Sequence, residues 1–124
     1  MTITQDQYAL GVCGESSVAA WYEEMGYEIV QLRYRARRGE VDVIARTPGG
    51  TIVFVEVKTR RGRSFGAVEA VTATKLQRIR AAASQWLSEN TSGYVDVRFD
   101  VVEVLFDGVN VSSRMYQGVD DAAC

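Results

Sequence analysis

The chain has 124 residues, of which 47% are apolar and 24% charged, which is the size and composition of one soluble globular domain. It contains no histidine and only two cysteines, Cys13 and Cys124, so histidine catalysis, histidine metal sites and a disulfide framework are excluded. No apolar run approaches the roughly 20 residues that cross a bilayer, and residues 1–10 lack the pattern of a signal peptide. We therefore expect a cytoplasmic protein that has no membrane partner.

Hydrophobic spacing predicts two helices. Apolar residues recur at helical intervals over residues 5–25, before the helix-ending Gly26, and again over residues 73–89. Trp21 and Trp86 fall at helical spacing, and we expect both to belong to the core rather than to a base-stacking surface.

Five strands are predicted, at residues 27–35, 40–46, 51–59, 94–106 and 109–113. Pro48-Gly49-Gly50 joins the second strand to the third, and Asp107-Gly108 joins the last two. The order α-β-β-β-α-β(-β) predicts an α/β fold, a mixed sheet with helices packed against it, in one domain over residues 1–116. Residues 117–124 carry no periodicity and are predicted to fray.

The net charge of −2 is distributed unevenly along the chain. Between Arg33 and Arg63 there are nine basic residues and three acidic ones, so this segment carries +6 and the remainder carries −8. Such a segment favours a positive surface for an anionic partner, and the planar fork of arginine suits phosphate. The alternative is a solvated surface in a protein that prefers arginine, since the chain has 12 Arg and 2 Lys.

Three acidic residues interrupt apolar patterns at positions where burial is expected. Glu15 lies in the apolar stripe of the first helix, Asp42 interrupts the second strand, and one apolar face of the third strand continues as Glu56 and Lys58. Burying an ion costs several kcal/mol, so these charges need compensation. One compensation is structural, a pairing of Lys58 with Glu56 or Asp42.

A divalent cation would remove the acidic excess that one lysine leaves, and all-oxygen ligation favours Mg²⁺ or Mn²⁺. The register of the hairpin tests this interpretation, because strand faces alternate with period two. A four-residue loop between Arg46 and Thr51 puts Asp42 on the wrong face, whereas a three-residue loop over residues 48–50 puts it opposite Glu56. We predict the three-residue loop, with a glycine at positive φ.

The segments GEVDVI at Gly39–Ile44 and VFVEVKTR at Val53–Arg60 resemble the signature of the PD-(D/E)XK nuclease superfamily. More closely, the chain resembles the YraN-like family of small proteins, which look like Holliday junction resolvases. The resemblance runs nearly from end to end and departs at Tyr34, where related sequences often show Asn. It is carried by further blocks: Gly14-Glu15, Gly26-Tyr27, Phe65-Gly66, Ala70-Val71 with Lys75, and Arg98-Phe99-Asp100-Val101.

The resemblance implies a restriction-endonuclease-like core and an endonuclease, dependent on Mg²⁺ or Mn²⁺, that hydrolyses DNA phosphodiester bonds, including those of branched junctions. By analogy with resolvases, which act on two-fold symmetric junctions, it also implies a homodimer. Asp42 and Glu56 match the metal-ligating pair of the superfamily, Lys58 matches its catalytic lysine, and Glu15 matches its first-helix glutamate. We expect the Val57 carbonyl to be a third metal ligand.

Several roles stay open for these residues. Lys58 is expected to orient the attacking water, to accept its proton if its pKa is depressed, or to stabilise charge in the transition state. Glu15 either steers a second metal or holds Lys58, or it is a hydrogen-bonding glutamate behind the ligands. Asp100 is expected to pair with Arg98 in a structural role.

The predicted nucleic-acid contacts are basic residues around these motifs: Arg33, Arg35, Arg37, Arg38, Arg60, Arg61, Arg63 and Lys75. Lys75 either touches phosphate or is an ordinary exposed lysine, and DNA is favoured over RNA as the partner. Two alternatives to a nuclease are a nucleic-acid-binding module with the same fold and little activity, and a structural protein with a buried salt-bridge network. The Asp42, Glu56 and Lys58 set favours the nuclease, because a module with no catalytic duty need not keep costly charges.

Overall fold

A computed structural model describes the backbone of residues 3–62, 64–65 and 73–119, and the side chains from residue 14 onwards within these ranges. Helices and strands follow in the predicted order: α1 (Ile3–Glu24), β1 (Glu28–Arg35), β2 (Glu40–Arg46), β3 (Ile52–Arg61), α2 (Ala73–Asn90), β4 (Val97–Phe106) and β5 (Val111–Tyr116). Arg63 lies outside the described residues, and so do residues 120–124 of the end that is predicted to fray, residues 117–124.

The strands form one mixed sheet in the order β1-β2-β3-β4-β5. β3 and β4 are parallel, and the other neighbouring strands are antiparallel. A parallel neighbour cannot be reached by a tight hairpin, so the chain crosses from β3 to β4 through α2. The predicted α/β architecture, a mixed sheet with packed helices, is confirmed.

The two helices cover opposite faces of the sheet, because alternate residues of β3 contact different helices. The cluster on the α1 side contains Val18, Tyr22, Val43, Ala45, Val53, Val55, Val102 and Val104. The cluster on the α2 side contains Tyr34, Val41, Ile44, Ile52, Phe54, Ile79, Ala82, Ala83 and Trp86. Trp21 packs against the first cluster, so both tryptophans belong to the core as predicted. No helix in the described ranges is long and apolar enough to span a membrane.

The hairpin register agrees with the prediction. Val43 pairs with Val55 and Arg46 with Ile52, the register that a three-residue loop requires. The loop closes with a hydrogen bond from the Gly50 N–H to the Thr47 carbonyl at 3.0 Å, and Gly50 has a φ of +95°. Glycine adopts this conformation without a steric penalty, which fixes the loop length and therefore the strand faces.

β4 begins at Val97, three residues later than the sequence pattern predicts. The first cross-strand bond runs from the Ile52 N–H to the Asp96 carbonyl, so residues before Asp96 extend past the start of β3 and have no β3 residue beside them. Tyr94 is accordingly exposed, and its hydroxyl donates to the Asp96 carboxylate at 2.7 Å.

β5 begins at Val111 rather than at Val109. The Asp107 carboxylate accepts the N–H groups of Val109 and Asn110, which holds both residues in the turn. An aspartate that caps its own turn in this way lengthens the loop beyond the two residues of the predicted Asp-Gly hairpin.

Candidate active site

Gly14 brings α1 against the strand that carries the predicted catalytic residues. A Cβ atom at Gly14 would overlap the hydroxyl of Thr59 on β3, so the absence of a side chain permits the close approach. The following residue, Glu15, therefore lies beside the segment of β3 that contains Glu56 and Lys58. Its charge acts on Asp42, where it helps to raise the pKa of that carboxyl.

The backbone changes face at Asp42. Val41 belongs to the α2-side cluster and Val43 to the α1-side cluster, although residues two apart in a regular strand share a face. On β1, Arg33 lies between Leu32 and Tyr34, which pair with Val43 and Val41, and this position is opposite Asp42. Arg33 has a φ of +52°, a left-handed conformation that costs about 1–3 kcal/mol in a non-glycine residue and is typical of functional sites.

Arg33 and Glu15 form an ion pair across this irregularity. The Arg33 Nε donates to the Glu15 carboxylate, whose side chain is 19% exposed. Of the roles predicted for Glu15, this contact fits the hydrogen-bonding glutamate behind the ligands rather than a direct hold on Lys58. Arg33, which the sequence predicts to contact phosphate, is paired with Glu15 within the protein.

Asp42 lies where β2 and β3 separate. The regular pairing of the two strands runs as far as Val43 and Val55, and beyond it the Val57 N–H donates to Asp42 Oδ2 at 2.7 Å. Burial and the neighbouring Glu56 carboxylate raise the pKa of Asp42 to about 7. The fold therefore holds this carboxyl in a place that disfavours its charge.

Glu56 and Lys58 lie on the same face of β3, since they are two positions apart with only Val57 between them. The Lys58 Nζ lies 3.3 Å from Glu56 Oε1, and their side chains are 24% and 16% exposed. Burial raises the pKa of Glu56, although Lys58 opposes the shift. The Glu-x-Lys motif thus forms the ion pair that the structural interpretation predicted.

Lys58 keeps its proton in this environment. Burial lowers its pKa, but a hydrogen bond with Lys75 and the Glu56 carboxylate outweigh that effect, and the net pKa is raised. The pKa of Lys75 is lowered by the same hydrogen bond. Of the roles predicted for Lys58, acceptance of a proton from water is therefore not supported without metal, and orientation of water and stabilisation of charge remain.

Few side chains of the site can act as metal ligands. Within the described ranges, no group of three or more His, Cys, Asp and Glu side chains is arranged to hold a metal ion. Two carboxylates, Asp42 and Glu56, are available, and the Val57 carbonyl stays a predicted third ligand. Mg²⁺ is commonly bound by one or two carboxylates while it keeps several waters, so these residues fit that ion in chemistry and number.

A cleft of about 230 Å³ opens beside Glu56 between β3 and the first turns of α2. It is lined by Glu40, Glu56, Lys58, Lys75, Arg78 and Ile79. Three cations and two carboxylates line it, so the cleft can hold an anion next to the carboxylate pair. Lys75, for which the sequence left two roles open, lines this cleft and bonds to Lys58.

The predicted phosphate-binding arginines divide into two groups. Arg60 is 47% exposed but has partners within the protein, because its Nε donates to the fully buried Glu103 at 3.1 Å and its Nη2 donates to the Ser64 carbonyl. Arg61 stacks over the Phe106 ring at 5.3 Å. In contrast, no ion pair among the described residues engages Arg35, at the end of β1, or Arg37 and Arg38, in the loop between β1 and β2, and all three are exposed.

Two residues near the site were not singled out from the sequence. Arg78 lines the cleft one helical turn after Lys75, and that three-residue spacing is a signal that the sequence contains. Glu103 is fully buried on β4, beside Lys58 in the β3–β4 register, and it holds Arg60. Glu103 lies within the apolar run VVEVLF, and the sequence around it does not indicate which basic residue it pairs with.

Asp100 has the structural role that the sequence predicted. Arg98 binds both of its carboxylate oxygens at 3.0 Å, and the Tyr22 hydroxyl donates to Oδ2 at 2.7 Å. The Gly118 N–H also donates to Asp100, and Arg98 reaches the Tyr27 hydroxyl. This network fastens α1 to β4 and to the chain beyond β5.

Comparison with known proteins places the chain in a family. The family model described as "Uncharacterised protein family UPF0102" matches residues 14–104, a range that includes every element from the site on α1 to most of β4. A UPF0102 protein of Corynebacterium efficiens is 46% identical over 120 residues, which cover 95% of this chain and 97% of that protein. A UPF0102 protein of Corynebacterium diphtheriae is 44% identical over 125 residues and is covered completely, and one of Nocardia farcinica is 52% identical over 101 residues, or 81% and 79% of the two chains. The expectation of a YraN-like protein is thereby confirmed: the chain belongs to the UPF0102 family.

Proposed function

We propose that this protein is a metal-dependent endonuclease that hydrolyses phosphodiester bonds in DNA. The observation that carries the proposal is the arrangement of Asp42 and Glu56 at the fork between β2 and β3. The pKa of each is raised by burial, and the pKa of Asp42 is raised further by the charge of Glu56. Two carboxylates that disfavour each other's charge in the absence of a cation are suited to bind one.

Each residue has a part that its contacts support. The Val57 N–H fixes one oxygen of Asp42 at 2.7 Å and leaves the other for a ligand. Glu56 supplies the second carboxylate from the neighbouring strand. A bound Mg²⁺ or Mn²⁺ would supply an activated water and charge neutralisation at the phosphate. Lys58 stays protonated beside Glu56 and is placed to orient that water or to stabilise negative charge on the phosphate oxygens.

Glu15 is a positioning residue in this scheme. It holds Arg33, which lies opposite Asp42 on β1 at the point where the strand backbone is strained. The pair therefore supports the irregular segment that presents Asp42. Branched DNA as substrate and a homodimeric assembly are carried over from the resemblance to junction resolvases.

The second candidate function is a nucleic-acid-binding module without hydrolytic activity. The direct Lys58–Glu56 ion pair favours it, because a lysine that satisfies the carboxylate leaves less need for a cation. A fully structural salt-bridge network is less well supported, since no ion pair to Asp42 is found among the described residues and its charge is disfavoured.

A cleavage assay tests the proposal. The purified protein is incubated with Mg²⁺ or Mn²⁺ and with four-way-junction, linear duplex and single-stranded DNA of the same sequence. We expect metal-dependent cleavage that is lost in Asp42→Asn and Glu56→Gln and retained in Glu23→Gln, an exposed carboxylate on α1. DNA binding that survives in every variant, with no cleavage by the wild type in either metal, would favour the binding module.

A further inference from the structure

Arg78 is placed to extend the cleft along α2. It lies one turn after Lys75, so the two cations share a face of the helix, and both line the cleft beside Glu56. Among the described residues, no carboxylate forms an ion pair with Arg78. Its charge is close enough to Lys75 to lower the pKa of that lysine. The fold therefore accepts a cation–cation repulsion at this point.

Gly39 joins the same part of α2 to the loop between β1 and β2. A Cβ atom at Gly39 would overlap the backbone carbonyl oxygen of Arg78, which cannot move without distorting the helix. Only glycine permits this approach, and it brings the loop backbone into contact with the turn of α2 that carries Arg78.

One hydrogen bond closes the loop on itself, and a second fastens it to α2. The Ala36 N–H donates to the Gly39 carbonyl at 2.9 Å and closes the turn. The Arg37 N–H donates to Gln85 Oε1 on α2 at 3.1 Å. These contacts use the backbone of the loop, so the exposed side chains of Arg37 and Arg38 are left for solvent or a ligand.

Three other arginines of the described chain are neutralised by carboxylates. Arg33 is paired with Glu15, Arg60 with Glu103 and Arg46 with Glu28. In the described chain, no ion pair engages Arg37, Arg38 or Arg78. Unneutralised cations on fastened backbone are suited to phosphate, because their positions are set before the ligand arrives.

We propose that Lys75, Arg78, Arg37 and Arg38 form one cationic track that binds consecutive phosphates of the DNA strand where it leaves the cleft. The track rests on the proposed function, which places the scissile phosphate at the carboxylate pair. In this proposal Arg78 binds and positions the phosphate backbone of the substrate. Gly39 permits the close contact between the β1–β2 loop and α2 that holds the two halves of the track together.

Salt dependence of binding tests the track without cleavage. Affinity for a short DNA duplex is measured in EDTA over a range of salt concentrations. A plot of log K against log salt has a negative slope, and the magnitude of this slope decreases by about 0.9 for each lost phosphate contact. We expect Arg78→Ala to lower the magnitude of the slope by about 0.9 and Arg37→Ala with Arg38→Ala by about 1.8. Arg46→Ala removes the same charge from the far end of β2 and is expected to leave the slope unchanged.

A neutral substitution tests whether the loop and the helix act together. Gln85→Ala removes the acceptor for the Arg37 N–H but no charge, and we expect a several-fold loss of affinity with the fold intact by circular dichroism. An unchanged slope in Arg78→Ala, an affinity of Gln85→Ala equal to the wild type, or tighter binding of the matching RNA duplex would overturn the proposal. If the slopes change as expected but no metal-dependent cleavage occurs, the track stands and the nuclease assignment fails.

Discussion

Replacement of Asp42 by asparagine distinguishes a metal-binding carboxylate from a structural one through its effect on stability without metal. Asparagine keeps an oxygen that can accept the Val57 N–H at the same place, so the hydrogen bond at 2.7 Å can be retained. The substitution removes only the charge. If the Asp42 carboxylate binds a metal ion, removal of its charge stabilises the protein in the absence of metal. If the carboxylate instead neutralises a buried lysine, removal of its charge destabilises the protein.

The size and sign of the effect follow from the pKa of Asp42. It is raised from 3.8 to about 7, so the folded state binds the proton more tightly than the unfolded state. Stability contributed by the neutral carboxyl is complete below about pH 4 and is lost as the pH rises to about 7. At about 1.4 kcal/mol per pKa unit, ionisation costs the folded state up to about 4 kcal/mol, which partial solvent exposure of the site reduces.

The assay is urea denaturation of the wild type and Asp42→Asn in EDTA. We expect the two proteins to differ little at about pH 4 and the variant to be more stable by about 1–4 kcal/mol at about pH 8. Glu56→Gln provides a comparison, since it removes the partner of Lys58 at 3.3 Å, and we expect a smaller gain from it. A loss of about 3–5 kcal/mol in Asp42→Asn, the cost of stranding a buried charge, would refute the reasoning.

Two further predictions concern the scaffold around the site. Gly14→Ala is expected to destabilise the protein by about 1–3 kcal/mol, because its Cβ overlaps Thr59, and Thr59→Ala in the same chain should restore part of the loss in thermal melts. Equal melting of Gly14→Ala and the wild type would show that α1 does not need the close approach. Asp100→Asn should cost about 3–5 kcal/mol in urea denaturation, since it leaves the Arg98 guanidinium without its bidentate partner. A loss below about 1 kcal/mol would mean that Tyr27 and solvent satisfy Arg98 unaided.

Local pattern was sufficient to predict the order of the helices and strands and the register of the hairpin that carries the site. The three-residue loop, with Gly50 at positive φ, determines the hairpin register, which the structure shows as far as the pair of Val43 with Val55. The predicted pairing of Asp42 with Glu56 lies beyond that point, where the two strands separate. Both signals lie within a few residues of each other in the chain. They determine the hairpin register through local backbone geometry, without a contribution from residues that are distant in the sequence.

Long-range pairing could not be predicted in the same way. Arginine clustering alone does not show that Arg33 is neutralised by Glu15 or that Arg60 is neutralised by Glu103, because those partners are distant in sequence and meet only in the folded sheet. The prediction that all basic residues of the segment form one surface therefore joins two groups with different environments. The change of face at Asp42 was also hidden, since a left-handed arginine has no sequence signature.

Divalent-metal binding tests most directly the claim that Asp42 and Glu56 form a cation site. Melting curves are recorded for the wild type, Asp42→Asn and Glu23→Gln after treatment with EDTA, and then with increasing Mg²⁺ or Mn²⁺. A ligand that binds only the folded state stabilises it by about 2.7 kcal/mol at one hundred times its Kd. We predict that metal raises the melting temperature of the wild type and Glu23→Gln to the same extent and that of Asp42→Asn much less. An equal shift in all three proteins, or no shift in any of them, would contradict the metal site.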